Sequence, residues 1–396
     1  MTRTASSLSL APRDRHETHR VATPLELLFD LASVIAIASA ASGLHHALSA
    51  GHPAEGVVGY AFGFFAMWWA WMNYTWFASA YGNESVPFRL VTMLIIFGSL
   101  VMAADMPDMF ERERFYTLLA GYLIMRVGMI ALWLMAAYGD PARRTTALHY
   151  ALGIALAQVY WSVVIAFAQP GNFFFGALFG LGVIFELSVP ALAERAGQTT
   201  WHRHHIMERY GLLNIIVLGE GLLASVLAIR AAEESFSLAS PLVHTAIAAA
   251  VVFFCFWSLY FTAEEHLSRE TTHRALVWGY GHVAIFAAGA ACGAGFGVLV
   301  DILTGHASVS LRTGDIAVGV PIAIYLLGLW FVRDRYCMPG AWKWLLPAAA
   351  ALVLAIALAA PASLELMTIA LILCTAIRRY ASSHGGVHGT ESQHGH

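Results

Sequence analysis

Residues 275–300, ALVWGYGHVAIFAAGAACGAGFGVLV, contain no Asp, Glu, Lys or Arg. At about 1.5 Å per residue such a helix is longer than the ~30 Å hydrocarbon core of a bilayer. A strand reading is excluded because the apolar residues run continuously, whereas a membrane barrel alternates over roughly ten residues. Backbone polar groups in lipid must be satisfied within the segment, so each such run is a helix.

Outward from that stretch, the same pattern recurs along the 396 residues. Spans are expected at 24–46, 57–80, 87–104, 115–137, 147–168, 172–193, 211–230, 241–263, 275–300, 314–332, 343–360 and 362–377. The expected fold is all-α: a polytopic membrane helix bundle of about twelve transmembrane helices. The last two spans are separated only near Ala359–Ala362, and one long kinked helix there would reduce the number by one. Composition agrees: 59% of residues are hydrophobic and only 12% charged, about half the charge of a soluble domain. Mean hydropathy is +0.65. A formal net charge of −3 argues against a nucleic-acid partner, which needs a basic face. The four cysteines, Cys255, Cys292, Cys337 and Cys374, lie far apart in or beside apolar runs and suggest neither a metal site nor a disulfide framework.

Arginine and lysine set the orientation. With the N-terminus in the cytoplasm, outside loops carry only Arg112, Arg114, Arg230 and Arg312, Arg126 falls inside the fourth span, and every other basic residue lies inside. Both termini are therefore expected in the cytoplasm, with the chain in the inner (plasma) membrane and the lipid bilayer as its first partner. The reading divides the chain into a disordered tail (1–20), a six-helix half (21–193), a cytoplasmic connector (194–210), a second six-helix half (211–379) and a His/Gly-rich tail (380–396) that includes His384, His388, His394 and His396. Trp71 and Tyr74 in the second span are echoed by Trp257 and Tyr260 in the eighth, and Arg89 and Arg274 open the following spans. Six spans per half would make this a parallel 6+6 repeat, an arrangement some transporters use.

An ionisable residue inside a membrane is costly and marks a functional candidate. Glu26 and Asp30 share one face of the first span, and Asp30 lies roughly 9 Å into it. Arg126, Glu186, Glu220, His282 and Glu365 fall within other spans. Two carboxylates on one face hold a proton or a cation. The structural alternatives are an Arg126–carboxylate pair that pins helices together, and a first-turn acid in Glu26 that complements the helix dipole. In residues 68–78, WWAWMNYTWFA, the residues Trp69, Asn73 and Trp76 form a stripe. Most of these rings read as an interfacial belt, whereas Asn73 reads as an interhelical hydrogen-bonder or a cavity-lining group. His202, His205 and Glu208 share a helical face but lack the spacing of a metal site such as H-E-x-x-H, so no metal, cofactor or catalytic set is assigned.

Three segments together resemble the bacterial low-temperature-requirement A (LtrA) family. These are residues 23–31 (TPLELLFDL), residues 68–78, and residues 205–220 (HIMERYGLLNIIVLGE). The family's E-R-F-G-L-F-T-I-I-V-L-G-E differs mainly at Tyr210 and Asn214, and Ala32 and Ser33 replace bulkier residues after F-D-L. The resemblance marks Glu26, Asp30, Trp69, Asn73, Trp76, Glu208, Arg209, Gly219 and Glu220 as motif positions. It implies a membrane protein associated with growth in the cold and no settled chemistry. The first span is also a little similar to the R-x-x-x-F-S-D helix of potassium channels with six-helix repeats, but it lacks the serine and a correctly placed arginine. The expected function is a secondary transporter or channel for a small solute, ion or proton. In this reading Asp30 and Glu220 bind the cation or proton, Arg126 is the counter-charge and Asn73 lines the path. The alternatives are a membrane-embedded lipid-modifying enzyme and a non-catalytic sensor or scaffold. Self-association into a homo-oligomer is left open.

Overall fold

The computed structural model describes residues 9–15, 17, 18, 20–112, 115–168, 173–234, 241–262 and 272–385. Among these there is no strand. The long helices are α1 Pro24–Ser49, α2 Pro53–Tyr81, α3 Val86–Arg112, α4 Tyr116–Gly139, α5 Arg144–Phe167, α6 Phe173–Ala193, α7 Arg203–Gly221, α8 Leu223–Glu234, α9 Pro241–Phe261, α10 Thr272–Leu303, α11 Leu311–Leu329, α12 Leu345–Ala359 and α13 Ser363–Gly385. Taking α7 and α8 as one interrupted span, ten segments are long and apolar enough to cross a membrane among the described residues. Two further helices fall outside that set: α2, rich in Trp and Tyr, and α13, which carries Glu365, Arg378 and Arg379. The last two spans are separate helices. The chain turns between them through Ala362, whose φ of 54° lies in the left-handed region, and Arg312 caps the end of α12 by donating to the carbonyls of Ala357 and Ala360.

The chain forms two compact units: residues 1–40, 59–213 and 269–276 in one, and residues 41–58, 214–268 and 277–396 in the other. In the first unit, α3 packs on α4, α4 on α5, and α5 on α6. The α3–α4 contact is backbone against backbone: a Cβ on Gly98 would sit 2.7 Å from the Gly121 carbonyl oxygen, and one on Gly121 would sit 2.8 Å from that of Gly98. Small residues allow this approach, which in lipid supplies packing that the hydrophobic effect does not. In the second unit, α11 packs on α12, α12 on α13, α13 on α9, and α8 on α9.

The outward faces of the helices are apolar, unlike those of a soluble protein. On α1, Leu28, Leu31 and Ile35 face outward while Asp30 and Ser33 are fully buried. On α5 the exposed stripe is Leu148, Leu152, Leu156, Val159 and Val163. Large apolar side chains at helical spacing on the outside, with charges inside, suit a lipid solvent.

Two expectations need correction. The segment 194–210 is not a connector throughout: α7 begins at Arg203, and Ile206, Tyr210 and Arg209 are buried. Its polarity reads as an interfacial helix or loop, but His205 and Arg209 face inward to acids on α1. The described part of the tail 1–20 is packed rather than disordered. Leu10 is fully buried, and a Cβ on Gly139 would meet its carbonyl oxygen at 2.2 Å. Beyond it, Arg13 N donates to Ala80 O (2.8 Å) and Arg20 Nη2 to Ala78 O (2.7 Å). The strap thus donates to carbonyls in the last turn of α2, one of which, Ala78 O, also accepts from Gly82 N (2.9 Å). Burial pulls the Arg20 guanidinium down to about 10, an effect that Arg13 reinforces and Glu26 and Glu17 oppose. The four tail histidines lie outside the residues whose side chains are described.

Candidate functional site

The T-x-x-E sequence that opens α1 is a capping box. Glu26 Oε2 accepts from Thr23 N (2.7 Å), and Thr23 Oγ1 accepts from Glu26 N (3.3 Å). This fixes the first turn and aims the other Glu26 oxygen at α7. There His205 Nε2 lies 3.2 Å and Arg209 Nη1 3.1 Å from Glu26 Oε1. One turn deeper, Asp30 Oδ1 meets Arg209 Nη2 at 2.5 Å and accepts from Trp71 Nε1 at 2.6 Å. Both pairs, Glu26/Asp30 and His205/Arg209, are spaced by four, so each presents one helix face to the other. All four side chains are buried. Asp30 Oδ2 is buried with no hydrogen-bond partner among the described residues.

A second buried charge pair lies in the same unit. Arg126 on α4 and Glu186 on α6, both with 0% exposure, form an ion pair through Arg126 Nη2 and Glu186 Oε2. The carboxylate also accepts from Trp69 Nε1 (2.9 Å), Tyr122 OH (2.9 Å), Trp161 Nε1 (3.2 Å) and Gln158 Nε2 (3.3 Å). Four helices thus converge on one anion. Arg126 is therefore the partner of Glu186, and the counter-charge of Asp30 is Arg209. No sequence spacing announces either pairing, because the partners are 60 and 179 positions apart.

The aromatic run in α2 is not an interfacial belt. Trp68, Trp69 and Trp71 are 1%, 0% and 0% exposed. Trp69 and Trp71 point to opposite sides and serve Glu186 and Asp30 respectively. Asn73 donates back to the Trp69 carbonyl at 2.8 Å, and Trp76 Nε1 donates to Tyr210 OH at 3.0 Å. Asn73 and Trp76 also line a cavity with Trp133, Tyr150, Glu194 and Trp201. Glu208 is half-buried, and its carboxylate accepts from the backbone of Ala22.

The second unit holds Glu220. The helix is interrupted directly after it: α7 ends at Gly221, Leu222 is a turn, and α8 starts at Leu223. Gly221 is required there, because a Cβ would lie 2.3 Å from Phe253 Cζ. Glu220 is half-buried and makes no hydrogen bond or ion pair among the described residues; Gly219 is exposed. Asn214 bonds Tyr325 OH at 3.3 Å. His282 Nδ1 donates to Trp278 O at 2.8 Å, which makes it a satisfied core histidine, and Glu365 is exposed.

Two groupings in this unit escaped the sequence reading. Asp334 takes a bidentate bond from Arg378 (2.8 and 2.9 Å) and one from Arg333 (2.7 Å). Arg333 also caps α9 at the Leu259 and Tyr260 carbonyls, both at 2.9 Å. It projects from a π-helical turn, Trp330–Asp334, that extends α11. Asp301 accepts from Ser49 Oγ (2.8 Å) and lies 2.7 Å from His45 Nε2.

Comparison with known proteins agrees with this arrangement of motifs. An uncharacterized protein of Rhizobium meliloti (strain 1021) is 26% identical over 217 residues, which is 50% of this chain and 49% of the relative. The chain therefore spans about half the length of that relative. The family description "Bacterial low temperature requirement A protein (LtrA)" matches residues 21–377. Since that range carries the α1 capping box with its two acids, the buried tryptophans of α2 and the interrupted α7, this multi-pass membrane protein belongs to the LtrA family.

Proposed function

We propose that this chain is a secondary transporter or channel for a small solute, ion or proton, with Asp30 and Glu220 as its ion- or proton-binding groups. The observation that carries the reading is the interrupted seventh span with the unpaired Glu220 at its break. Discontinuous membrane helices place backbone and acid groups at the binding sites of many carriers. Asp30 supports the same reading, because a fully buried carboxylate with one oxygen unoccupied can take up a proton or a cation. Arg209, in place of Arg126, is the counter-charge of Asp30. The proposal includes a parallel 6+6 duplication, motivated by the echo of Trp71 and Tyr74 in Trp257 and Tyr260. It places the protein in the inner membrane with both termini in the cytoplasm, supported by the arginine bias of the loops.

The test is flux into proteoliposomes containing a pH dye, under potassium, sodium and proton gradients, for the wild type, Asp30→Asn and Glu220→Gln. Flux in the wild type that is lost in both variants supports the assignment. If both variants fold and carry undiminished flux, the two acids are not on the path.

A further inference from the structure

We propose that the cavity bounded by Trp76, Trp133, Tyr150 and Trp201, with Asn73 and Glu194 in its wall, binds a small organic cation of the quaternary or methylated ammonium class. As a substrate site it rests on the transport reading above; as a binding site it does not.

The cavity is partly open and lined mainly by rings. Its rings come from α2, α4, α5 and the segment that precedes α7. Trp133 and Tyr150 stack at 4.0 Å and 3°, which gives one flat wall. Trp76 and Trp201 meet edge to face at 5.1 Å and 62°, which turns the other wall. Aromatic faces carry negative quadrupole potential and attract cations, most strongly where water is excluded. Trp133 and Trp201 are each 4% exposed.

Glu194 supplies the charge. Its carboxylate accepts from Thr199 Oγ1 (2.7 Å), Thr199 N (3.0 Å) and Tyr150 OH (3.0 Å), all neutral donors. Among the described residues no ion pair reaches it, and Arg143 acts on it from beyond ion-pair distance. Arg143, on the adjoining helix, directs its guanidinium to Asp140 (3.2 Å) and to the Gln198 carbonyl (2.9 Å). Glu194 is therefore a carboxylate without a direct ion pair, sharing the field of Arg143 with Asp140.

The donor set discriminates among cations. A metal ion requires several oxygen ligands, and the cavity offers one carboxylate already engaged by three donors. A primary ammonium would exchange its hydration for rings that accept poorly. A methylated ammonium has no N–H to satisfy and presents an apolar, positively charged surface, which suits ring faces beside a carboxylate. The buried Trp133 Nε1 has no hydrogen-bond partner among the described residues, so a hydroxyl on the ligand would give it an acceptor.

The experiment measures binding of choline, tetramethylammonium and the neutral carbon isostere of choline to the purified full chain, by tryptophan fluorescence and calorimetry. The cations are expected to saturate, with the isostere weaker by roughly tenfold or more, since only the charge differs. Glu194→Gln should weaken the cations by a similar factor while leaving the elution profile of the folded protein unchanged. Tyr150→Phe, which keeps the ring, should bind within a few-fold of wild type. The proposal is overturned if the folded wild type shows no saturable cation binding, if the isostere binds equally well, or if Glu194→Gln retains full affinity. Choline uptake into proteoliposomes separates the two readings. Binding without uptake removes the transport assignment and leaves the site standing, whereas ion flux without choline binding does the reverse.

Discussion

Replacing Glu186 by Gln should damage the fold far more than replacing Arg126 by Met, although both remove the same ion pair. The asymmetry follows from the surroundings of each partner. Without Arg126, Glu186 keeps Trp69, Tyr122, Gln158 and Trp161 as donors, and hydrogen bonds to a charged group are worth about 1.5–3 kcal/mol each. Without the Glu186 charge, Arg126 remains 0% exposed, with Nε and Nη1 unpartnered among the described residues. Neutral groups alone then face its guanidinium: Tyr122, whose ring lies 5.1 Å away, and the amide oxygen of the new glutamine. Stranding one member of a buried pair costs about 3–5 kcal/mol, so Glu186→Gln should lose that amount and Arg126→Met about half of it. The double variant strands no charge and should be no worse than Glu186→Gln alone. That gives a coupling on the order of 2 kcal/mol. The assay is reversible unfolding in mixed detergent micelles, followed by tryptophan fluorescence. Equal losses for the two single variants that add in the double variant would refute the view that four helices are held on one solvated anion.

Gly121→Val should separate α3 from α4, since its first added carbon already meets the Gly98 carbonyl oxygen at 2.8 Å; a loss of about 2–3 kcal/mol in the same unfolding assay is expected, and a neutral result would disprove the close contact. Arg209→Met should cost about 3–5 kcal/mol by leaving Glu26 and Asp30 without their cation, whereas Trp71→Phe, which removes one bond to Asp30, should cost about 1.5–3; the reverse order would show that Arg209 is not the counter-charge. The N-terminal strap should loosen in acid. His202 Nε2 donates to Glu17 O (2.8 Å) and its Nδ1 accepts from His205 N (3.3 Å), so the bonded form is neutral. Burial lowers its proton affinity, with Arg20 and His204 adding to this and Glu17 opposing it. The unfolded chain then binds the proton more readily, and the stabilisation present above about pH 6.5 is lost as pH falls below that value. Hydrogen exchange at residues 9–20 should speed up across that window; exchange that does not depend on His202 would contradict the assignment.

Single-residue hydropathy made the membrane class and most helices legible, because each span has to be apolar over its own length. It failed where a polar stretch is buried. Arg203–Tyr210 reads as a connector, but its His205 and Arg209 are the inward face of α7, aimed at acids nearly two hundred positions away. The segment before α1 reads as disorder because it is polar and short of apolar residues. It is held instead by one buried leucine and by arginines that bond the carbonyl end of α2. The acids themselves were visible, since a carboxylate within a span is conspicuous. Their partners were not, because pairing depends on the packing of helices whose order in sequence says nothing of their neighbours. Glu194 and Trp133 belong to the same class of omission: each is ordinary in its own segment and becomes a cavity wall only when α2, α4 and α5 are together.

The arrangement around α2 gives the motif of buried tryptophans a physical reason that an interfacial belt does not. Residues two apart on a helix point roughly 200° apart, so Trp69 and Trp71 can reach two acids on different sides of one rod. Each donates its indole N–H to a different buried carboxylate. Trp is suited to this because it fills a large volume and offers one donor and no acceptor. A Phe at either position would fill much of the space and leave an anion short of a donor. Farther along the same helix, Asn73 and Trp76 line the aromatic cavity. One helix therefore connects the sealed Glu186–Arg126 pair, the Asp30–Arg209 pair and the cavity. A shift or rotation of α2 alters the hydrogen bonding of both acids and the shape of the cavity together.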